Sequence, residues 1–496
     1  MSSIKISSEP KSKIQTHKLW INGRWQESLS GKTFTSINPA TEKDLAFVAE
    51  AQEEDIHKAV QSSRTAFDKG PWRRMKSKDR AKILRRMAEL IHKNTDELAL
   101  LETQDSGKPI KNSRTGDIPG SANAFDYYAG WADKLSGETL DLDPDYWSFT
   151  LREPLGVIGA ITPWNFPLEI ACQKASAALA CGNTIVLKPA EQTPLTALRL
   201  AEISAEAGLP EGVLNVVPGM GTIAGAALVA HPDVDGISFT GEYSTGQAIM
   251  QNAAKTLKKI SFELGGKSAN IIFKDADLEK AAEFACDGIF YNQGEVCCSG
   301  SRLFVEKSIQ EEFLARILDH SKSWQPGDPL KEKTKMGAIV SKEQLDKILS
   351  YITLGEKEGA KLILDGRLKS KTGYFIGPTI FKDVKQPMRL AQEEIFGPVL
   401  SQIAFSDFNE ALTQANNTFY GLAAAVWTQD IDKALNAARS LRAGAVWVNG
   451  YGKFDHAMPF GGYKMSGIGR EGGIRTFDFF TQIKSIWIRV NPHEMD

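Results

Sequence analysis

From residue 155 onward, short unbroken apolar runs alternate with longer stretches whose apolar residues recur every three or four positions. Runs at 155–161, 183–187, 213–217, 236–239 and 269–273 read as strands buried on both faces, because no polar residue alternates with the apolar ones. Between them, 168–180, 194–207, 223–230 and 245–255 have helical spacing. The helix at 194–207 is punctuated at both ends, with Thr193 as N-cap, Pro194 at the first helical position and Gly208 just past the end. Such alternation predicts right-handed βαβ units and a mostly parallel sheet. Upstream, Leu84, Met87, Ala88 and Ile91 share one face of a helix predicted over 79–102. A second alternating series follows Glu263-Leu264-Gly265-Gly266 and runs to about Gly467, which puts a boundary near Leu264. Two strand-like segments, 146–152 and 480–490, belong to neither series. Long edges of this kind invite pairing with another chain, so they predict an oligomerisation arm, with a meander packed on its own subunit as the alternative.

The fold class is therefore α/β: a first α/β domain from 19–131 and 154–264, a second from 265–467, and a small β arm from 132–153 and 478–496. Residues 1–18 are polar, lack the apolar stretch of a secretory signal, and read as a flexible arm. A length of 496 residues is too great for one core. Net charge is only −2, from 59 basic and 61 acidic residues. That leaves no basic face for nucleic acid or anionic lipid. No stretch has transmembrane length and apolarity. The five cysteines are odd in number and too sparse for a disulfide scaffold, and none has zinc spacing with a histidine. These counts predict a reducing cytoplasm and no metal.

Chemistry concentrates where predicted strands end. Cys297 lies in the polar, glycine-containing stretch Tyr291-Asn292-Gln293-Gly294-Glu295-Val296-Cys297-Cys298-Ser299-Gly300, between a predicted helix and a predicted strand. A nucleophile needs such room and nearby dipoles, although a buried or metal-binding cysteine is the alternative. Asn165, in Pro163-Trp164-Asn165-Phe166-Pro167, offers an amide donor to a developing oxyanion, or is a turn residue. Lys188 and Glu191 open a helix after a buried strand, where they can hydrogen-bond sugar hydroxyls or simply form a solvated pair. Gly241 and Gly246 let backbone amides approach a pyrophosphate. The Gly219-Met220-Gly221 turn only approximates a dinucleotide fingerprint. Glu263, before two glycines, is a general base if partly desolvated and otherwise an ordinary loop carboxylate. Glu394 and Phe396 can grip a ribose and flank a flat heterocycle, or end a helix.

Taken together, Pro163–Pro167, Leu187–Glu191, Phe239–Gly246, Phe262–Lys267, Gly294–Cys297, Glu394–Val399 and Pro459–Gly467 resemble the NAD(P)-dependent aldehyde dehydrogenase superfamily, in its order and spacing. The resemblance covers the chain beyond its first 18 residues or so. It implies a Rossmann-like cofactor domain, a second α/β catalytic domain and a small β oligomerisation arm, in a homodimer or homotetramer. It also implies Cys297 as nucleophile, Glu263 as general base, and Asn165 with the Cys297 N–H as oxyanion hole. Trp164, Lys188, Glu191, Gly241, Gly246, Leu264, Glu394 and Phe396 would hold the cofactor. Glu191 suits the free 2′-hydroxyl of NAD rather than NADP. By position in the family, Phe166, Ile170, Gln173, Tyr291, Phe454 and Phe460 line the substrate tunnel.

Two positions depart from the family pattern. Glu242 stands where a small serine is common. Glu295 stands where glutamine is, which either raises the thiol pKa or turns away from the sulfur. With Gln173, Tyr291 and Phe460 at the matching places, a full tryptophan cage of the betaine-aldehyde branch is absent. Stretches 288–294 and 324–330 are similar to the bacterial gamma-glutamyl-gamma-aminobutyraldehyde branch of polyamine breakdown, and Glu169 and Asp455 could attract an amine. The rivals are a betaine or general aliphatic aldehyde dehydrogenase, a CoA-acylating enzyme, which typically lacks a base at position 263, and a non-catalytic protein on the same fold.

Overall fold

The computed structural model describes residues 15–368 and 372–490. In the first half, five parallel strands, β1 (Val157–Ile161), β2 (Thr184–Lys188), β3 (Leu214–Val216), β4 (Gly236–Gly241) and β5 (Lys259–Leu264), pair in the order β5-β4-β1-β2-β3. This is a doubly wound sheet whose strand order reverses between β1 and β4, the place where such sheets bind ligands. Antiparallel strands extend it at both edges, Leu19–Ile21 and Arg24–Gln26 beyond β3 and Gly467–Ile468 beyond β5. Helices α1 (Pro167–Ala180), α2 (Leu195–Glu206) and α3 (Tyr243–Ala253) connect its strands. β1 and β2 are buried along their whole length, which is why their sequences show no alternation.

The second sheet has six parallel strands: β6 (Ala269–Ile272), β7 (Arg302–Glu306), β8 (Thr379–Lys382), β9 (Val399–Phe405), β10 (Ala423–Trp427) and β11 (Ala445–Val448). They run in the order β8-β9-β7-β6-β10-β11, with Lys361–Leu364 antiparallel on β8. Only residues 265–268 separate β5 from β6. The chain therefore leaves the carboxyl edge of one sheet and enters the amino edge of the other at once, which sets those two edges face to face.

The strand-like segments 146–152 and 480–490 pair with each other, as Tyr146–Pro154 against Thr481–Arg489, and Thr139–Asp143 completes a separate three-stranded sheet. Trp147 is 70% exposed on it and Ile483 62%. The end of the tail, 491–496, lies outside the described residues, as does 1–14 of the expected flexible arm. Within that arm, Gln15–His17 is a strand, paired with Lys43–Ala49.

Local expectations are corrected in two places. The helix over 79–102 is two helices, Ser77–Lys93 and Thr95–Ser106, broken where the Asn94 side chain folds back on the Leu90 carbonyl at 2.7 Å. Thr193 caps nothing: α2 starts at Leu195 with Pro194 as its cap residue, and the Thr193 hydroxyl has no hydrogen-bond partner among the described residues. Gly208 does end that helix, at φ +85°, where a side chain would be strained. No helix among the described residues is long and apolar enough to cross a membrane.

Candidate active site

The carboxyl edge of the first sheet carries most of the residues singled out from sequence. β1 runs into the loop holding Trp164 and Asn165, and Pro167 then starts α1. Asn165 is buried and its amide donates to the Glu295 carbonyl at 3.0 Å. Trp164 meets Phe396 edge to face, with centroids 5.1 Å apart. β2 ends at Lys188, whose ammonium contacts Glu191 at 2.8 Å. Burial works to raise the Glu191 pKa, but the Lys188 ammonium overcomes it and the carboxyl titrates below its ordinary range. The Gly221 turn closes over this pair. β4 ends at Gly241, and Gly246 lies in the first turn of α3, where a methyl group would press on Leu264 at 3.1 Å. Glu242 is exposed, so its charge faces solvent.

Glu263, near the end of β5, is 5% exposed and neither carboxylate oxygen has a hydrogen-bond partner among the described residues. Burial raises its pKa well above the carboxylate range, with Glu471 and Cys297 adding to the rise while Lys174 and Arg470 oppose it. Lys174 itself is held by Glu471 and, at 3.0 Å, by Ser238. The next residues explain the two glycines. The Gly266 N–H donates to Glu394 at 3.0 Å, and any side chain at Gly265 would overlap the Glu394 carboxyl. Burial pushes that carboxyl up to about 7. Phe396 sits at φ +59° beyond it.

From the amino edge of the second sheet comes the cysteine loop. It follows the helix Leu278–Phe290 and contains three successive left-handed residues, Asn292, Gln293 and Gly294. Two of these are not glycine, which costs of order 1–3 kcal/mol each unless the surroundings enforce it. Buried polar side chains do so. Asn292 donates to the Asn165 carbonyl at 3.2 Å and to the Glu295 carbonyl at 3.3 Å, and Gln293 accepts from the Gly337 N–H at 2.9 Å. Gly294 is obligatory, because a side chain there would overlap the Gly397 carbonyl. The loop leaves Cys297 partly exposed and Cys298 buried. A hydrogen bond with Cys298, then burial and Glu394, raises the Cys297 pKa, against the Cys298 backbone N–H, which favours thiolate. Glu295 turns away from the sulfur and accepts from the Val340 N–H at 3.1 Å, its own pKa raised by burial to about 8.

Phe460 packs in the same apolar cluster as Cys297 and Cys298, and Phe454 stands edge-on to it at 5.3 Å. Phe166 lies under the Lys108 ammonium at 4.4 Å, and Ile170 is one turn along α1. Tyr291 and Gln173 are half-buried.

Three features escaped the sequence reading. Trp447 joins the cysteine cluster and meets Phe454 edge to face at 5.6 Å; its position in β11 carried no motif. The Lys174–Glu471 pair beside Glu263 joins residues nearly three hundred positions apart. Lys108, held by Glu102 and Asp117, supports the Asn165 loop, since Glu102 also accepts from the Leu168 N–H at 3.2 Å.

Comparison with known proteins agrees with this geometry. The profile of the aldehyde dehydrogenase family matches residues 25–486. Human aldehyde dehydrogenase 1A1 is 47% identical over 97% of this chain and 96% of its own, and the mitochondrial aldehyde dehydrogenase family 2 member B4 of Arabidopsis thaliana is 48% identical over 97% and 90%. Among solved structures, an indole-3-acetaldehyde dehydrogenase in complex with NAD+ superposes with a TM-score of 0.95 at 47% identity, over 97% of this chain and 98% of that one. An NAD+ complex of the Bacillus cereus aldehyde dehydrogenase gives 0.95 at 46%, over 99% and 100%. The facing sheet edges, the strained cysteine loop between them and this similarity along nearly the whole chain make the protein a member of the aldehyde dehydrogenase family.

Proposed function

We propose that the protein oxidises an amino or γ-glutamylamino aldehyde of polyamine breakdown to its carboxylic acid, with NAD as acceptor. Cys297 attacks the aldehyde carbonyl, and its sulfur forms a thiohemiacetal. Asn165 spends one amide hydrogen on the Glu295 carbonyl, leaving the second for the developing oxyanion beside the Cys297 N–H. Lys188, Glu191, Glu394 and Phe396 would hold NAD, which would supply the hydride acceptor that the thiohemiacetal needs to become a thioester. Glu263 then removes a proton from water, whose oxygen displaces the sulfur and releases the acid. Its lack of a hydrogen-bond partner among the described residues suits that role. The cofactor residues fit NAD: the Lys188–Glu191 pair offers an ammonium and a carboxylate to a ribose with a free 2′-hydroxyl, and the missing side chain at Gly265 leaves room for the Glu394 carboxyl. The NAD+ complexes of the two solved relatives support the same choice.

The amine preference rests on one observation, a surplus of buried and half-buried carboxyls around Lys108, whose ammonium lies over Phe166. Glu102, Asp117 and Glu169 face the single ammonium of Lys108. Burial, reinforced by Asp117, pushes Glu169 up to about 8, so it is ready to ionise against an incoming ammonium. Gly120 makes room for it, since a methyl group there would meet the Glu169 carboxyl at 2.7 Å. The Gly120 carbonyl also lies 3.0 Å from the His456 ring nitrogen, and His456 is the chain neighbour of Asp455, the second acidic candidate. A second reading, an aromatic aldehyde, is favoured by the Trp447, Phe454 and Phe460 cluster and by the substrate of the indole-3-acetaldehyde relative.

Comparing kcat/KM for 4-aminobutyraldehyde, its γ-glutamyl form, betaine aldehyde, indole-3-acetaldehyde and pentanal tests this. We expect the amino forms to lead pentanal by about tenfold, as ~1.4 kcal/mol of charge attraction would give, and Glu169→Gln to erase the lead. Pentanal or the indole compound leading in the unaltered enzyme would sink it. We also assign 19–131 with 154–264 to cofactor binding, 265–467 to catalysis, and the exposed three-stranded sheet to homodimer or homotetramer formation in the cytoplasm.

A further inference from the structure

Behind the cysteine loop lies a small cavity between β6, β10 and the segment 415–422. We propose that it binds a monovalent inorganic anion of about the size of chloride. Lys267, Arg302, Arg442 and Lys464 line it, and no carboxylate does. Two of these cations have their hydrogens committed to neutral carbonyls, which satisfies geometry without cancelling charge. Arg302 donates to the carbonyls of Lys267 at 2.7 Å, Gln414 at 3.4 Å and Ala415 at 2.8 Å. Lys464 donates to those of Asn416 at 2.9 Å and Thr418 at 2.8 Å.

Lys267 is different. It is 2% exposed, and its ammonium has neither a hydrogen-bond partner nor an ion pair among the described residues. Leaving a buried charge unpaired costs several kcal/mol, so something must answer it. Glu394 and Glu393 act on it from beyond ion-pair distance, and Glu394 is already engaged by the Gly266 N–H. Burial and Arg302, with a smaller contribution from Lys347, lower its pKa to about 7. A bound anion would reverse that.

The size of the cavity limits the ligand. A cavity of about 20 Å³ has room for one water or a halide ion. Arg442 is exposed at the rim and gives a route in. The site is distinct from the catalytic one. Leu422 stands between, lining the cavity while packing against Cys298. An anion there stiffens the wall on which the cysteine loop rests and does not compete with substrate.

The test is a bromide soak of crystals of the full-length protein, read by anomalous scattering, together with thermal unfolding in sodium chloride against sodium gluconate at equal ionic strength. We expect a bromide peak touching the Lys267 ammonium and a Tm that climbs with chloride and saturates, as ligand linkage requires. Lys267→Met should abolish the chloride-specific rise. Should that variant fail to fold, Arg442→Gln at the exposed rim should still fold and weaken the apparent chloride affinity about three- to tenfold. A water in place of bromide in the cavity, or an unchanged chloride response in both variants, overturns the proposal.

Discussion

The two edges that meet at the active site are built in opposite ways. The carboxyl edge of the first sheet is regular: β1, β2, β4 and β5 stop at nearly the same level, and each delivers its residue, Asn165, Lys188, Gly241 or Glu263, within a few positions of the strand end. The amino edge of the second sheet delivers Cys297 from a loop with three left-handed residues in succession, fixed by buried amide side chains. Regular strand ends position groups cheaply, because the sheet's own hydrogen bonds hold them. The cysteine loop must be over-determined by its surroundings, and that is where the enzyme stores local strain.

Substitutions that separate the two edges should differ in kind as well as in size. Cys297→Ala should remove aldehyde oxidation by at least ~10³-fold while leaving NAD binding, followed by fluorescence quenching, unchanged. Glu263→Gln should slow thioester hydrolysis by about 10²–10⁴-fold with acyl transfer to Cys297 retained, so a burst of NADH should precede a slow steady state. The pH dependence follows from burial. Because the folded protein holds the Glu263 pKa above the carboxylate range, the base is lost as pH falls, so hydrolysis should rise with pH in the native enzyme and lose that limb in Glu263→Gln. Asn165→Ala should cost about 10²–10³-fold in kcat through the lost oxyanion donor. Gly294→Ala acts on the loop rather than on the chemistry. It should destabilise by about 1–3 kcal/mol, visible as a lower Tm, and reduce the fraction of titratable Cys297. The smallest effect should come from the cofactor edge, where Glu191→Ser should narrow the preference for NAD over NADP by about tenfold, measured as a ratio of kcat/KM values.

Legibility followed the same division. The buried strands of the first sheet were visible as apolar runs, and their ends located Asn165, Lys188, Gly241 and Glu263, because a parallel sheet covered on both faces leaves a plain sequence signature. Gly265 and Gly266 were visible as glycines, but the reason for them, the Glu394 carboxyl arriving from over a hundred residues away, was not. The periodicity over 79–102 and Thr193 misled: Asn94 breaks that helix through its own side chain, and Thr193 caps none. Glu295 could be read either as a burden on the thiol or as turned away, and only the Val340 N–H decides for the second.

The chain by itself determined the two alternating α/β series, the short connection between them and the chemical identity of the groups at the strand ends, since periodicity and residue type are local properties. What tertiary structure decided was every relation between distant residues: Trp447 against the cysteines, Lys174 and Glu471 beside Glu263, and Lys108 between three carboxyls. Burial and electrostatic coupling depend on which side chains share a volume, and no spacing along a sequence encodes that.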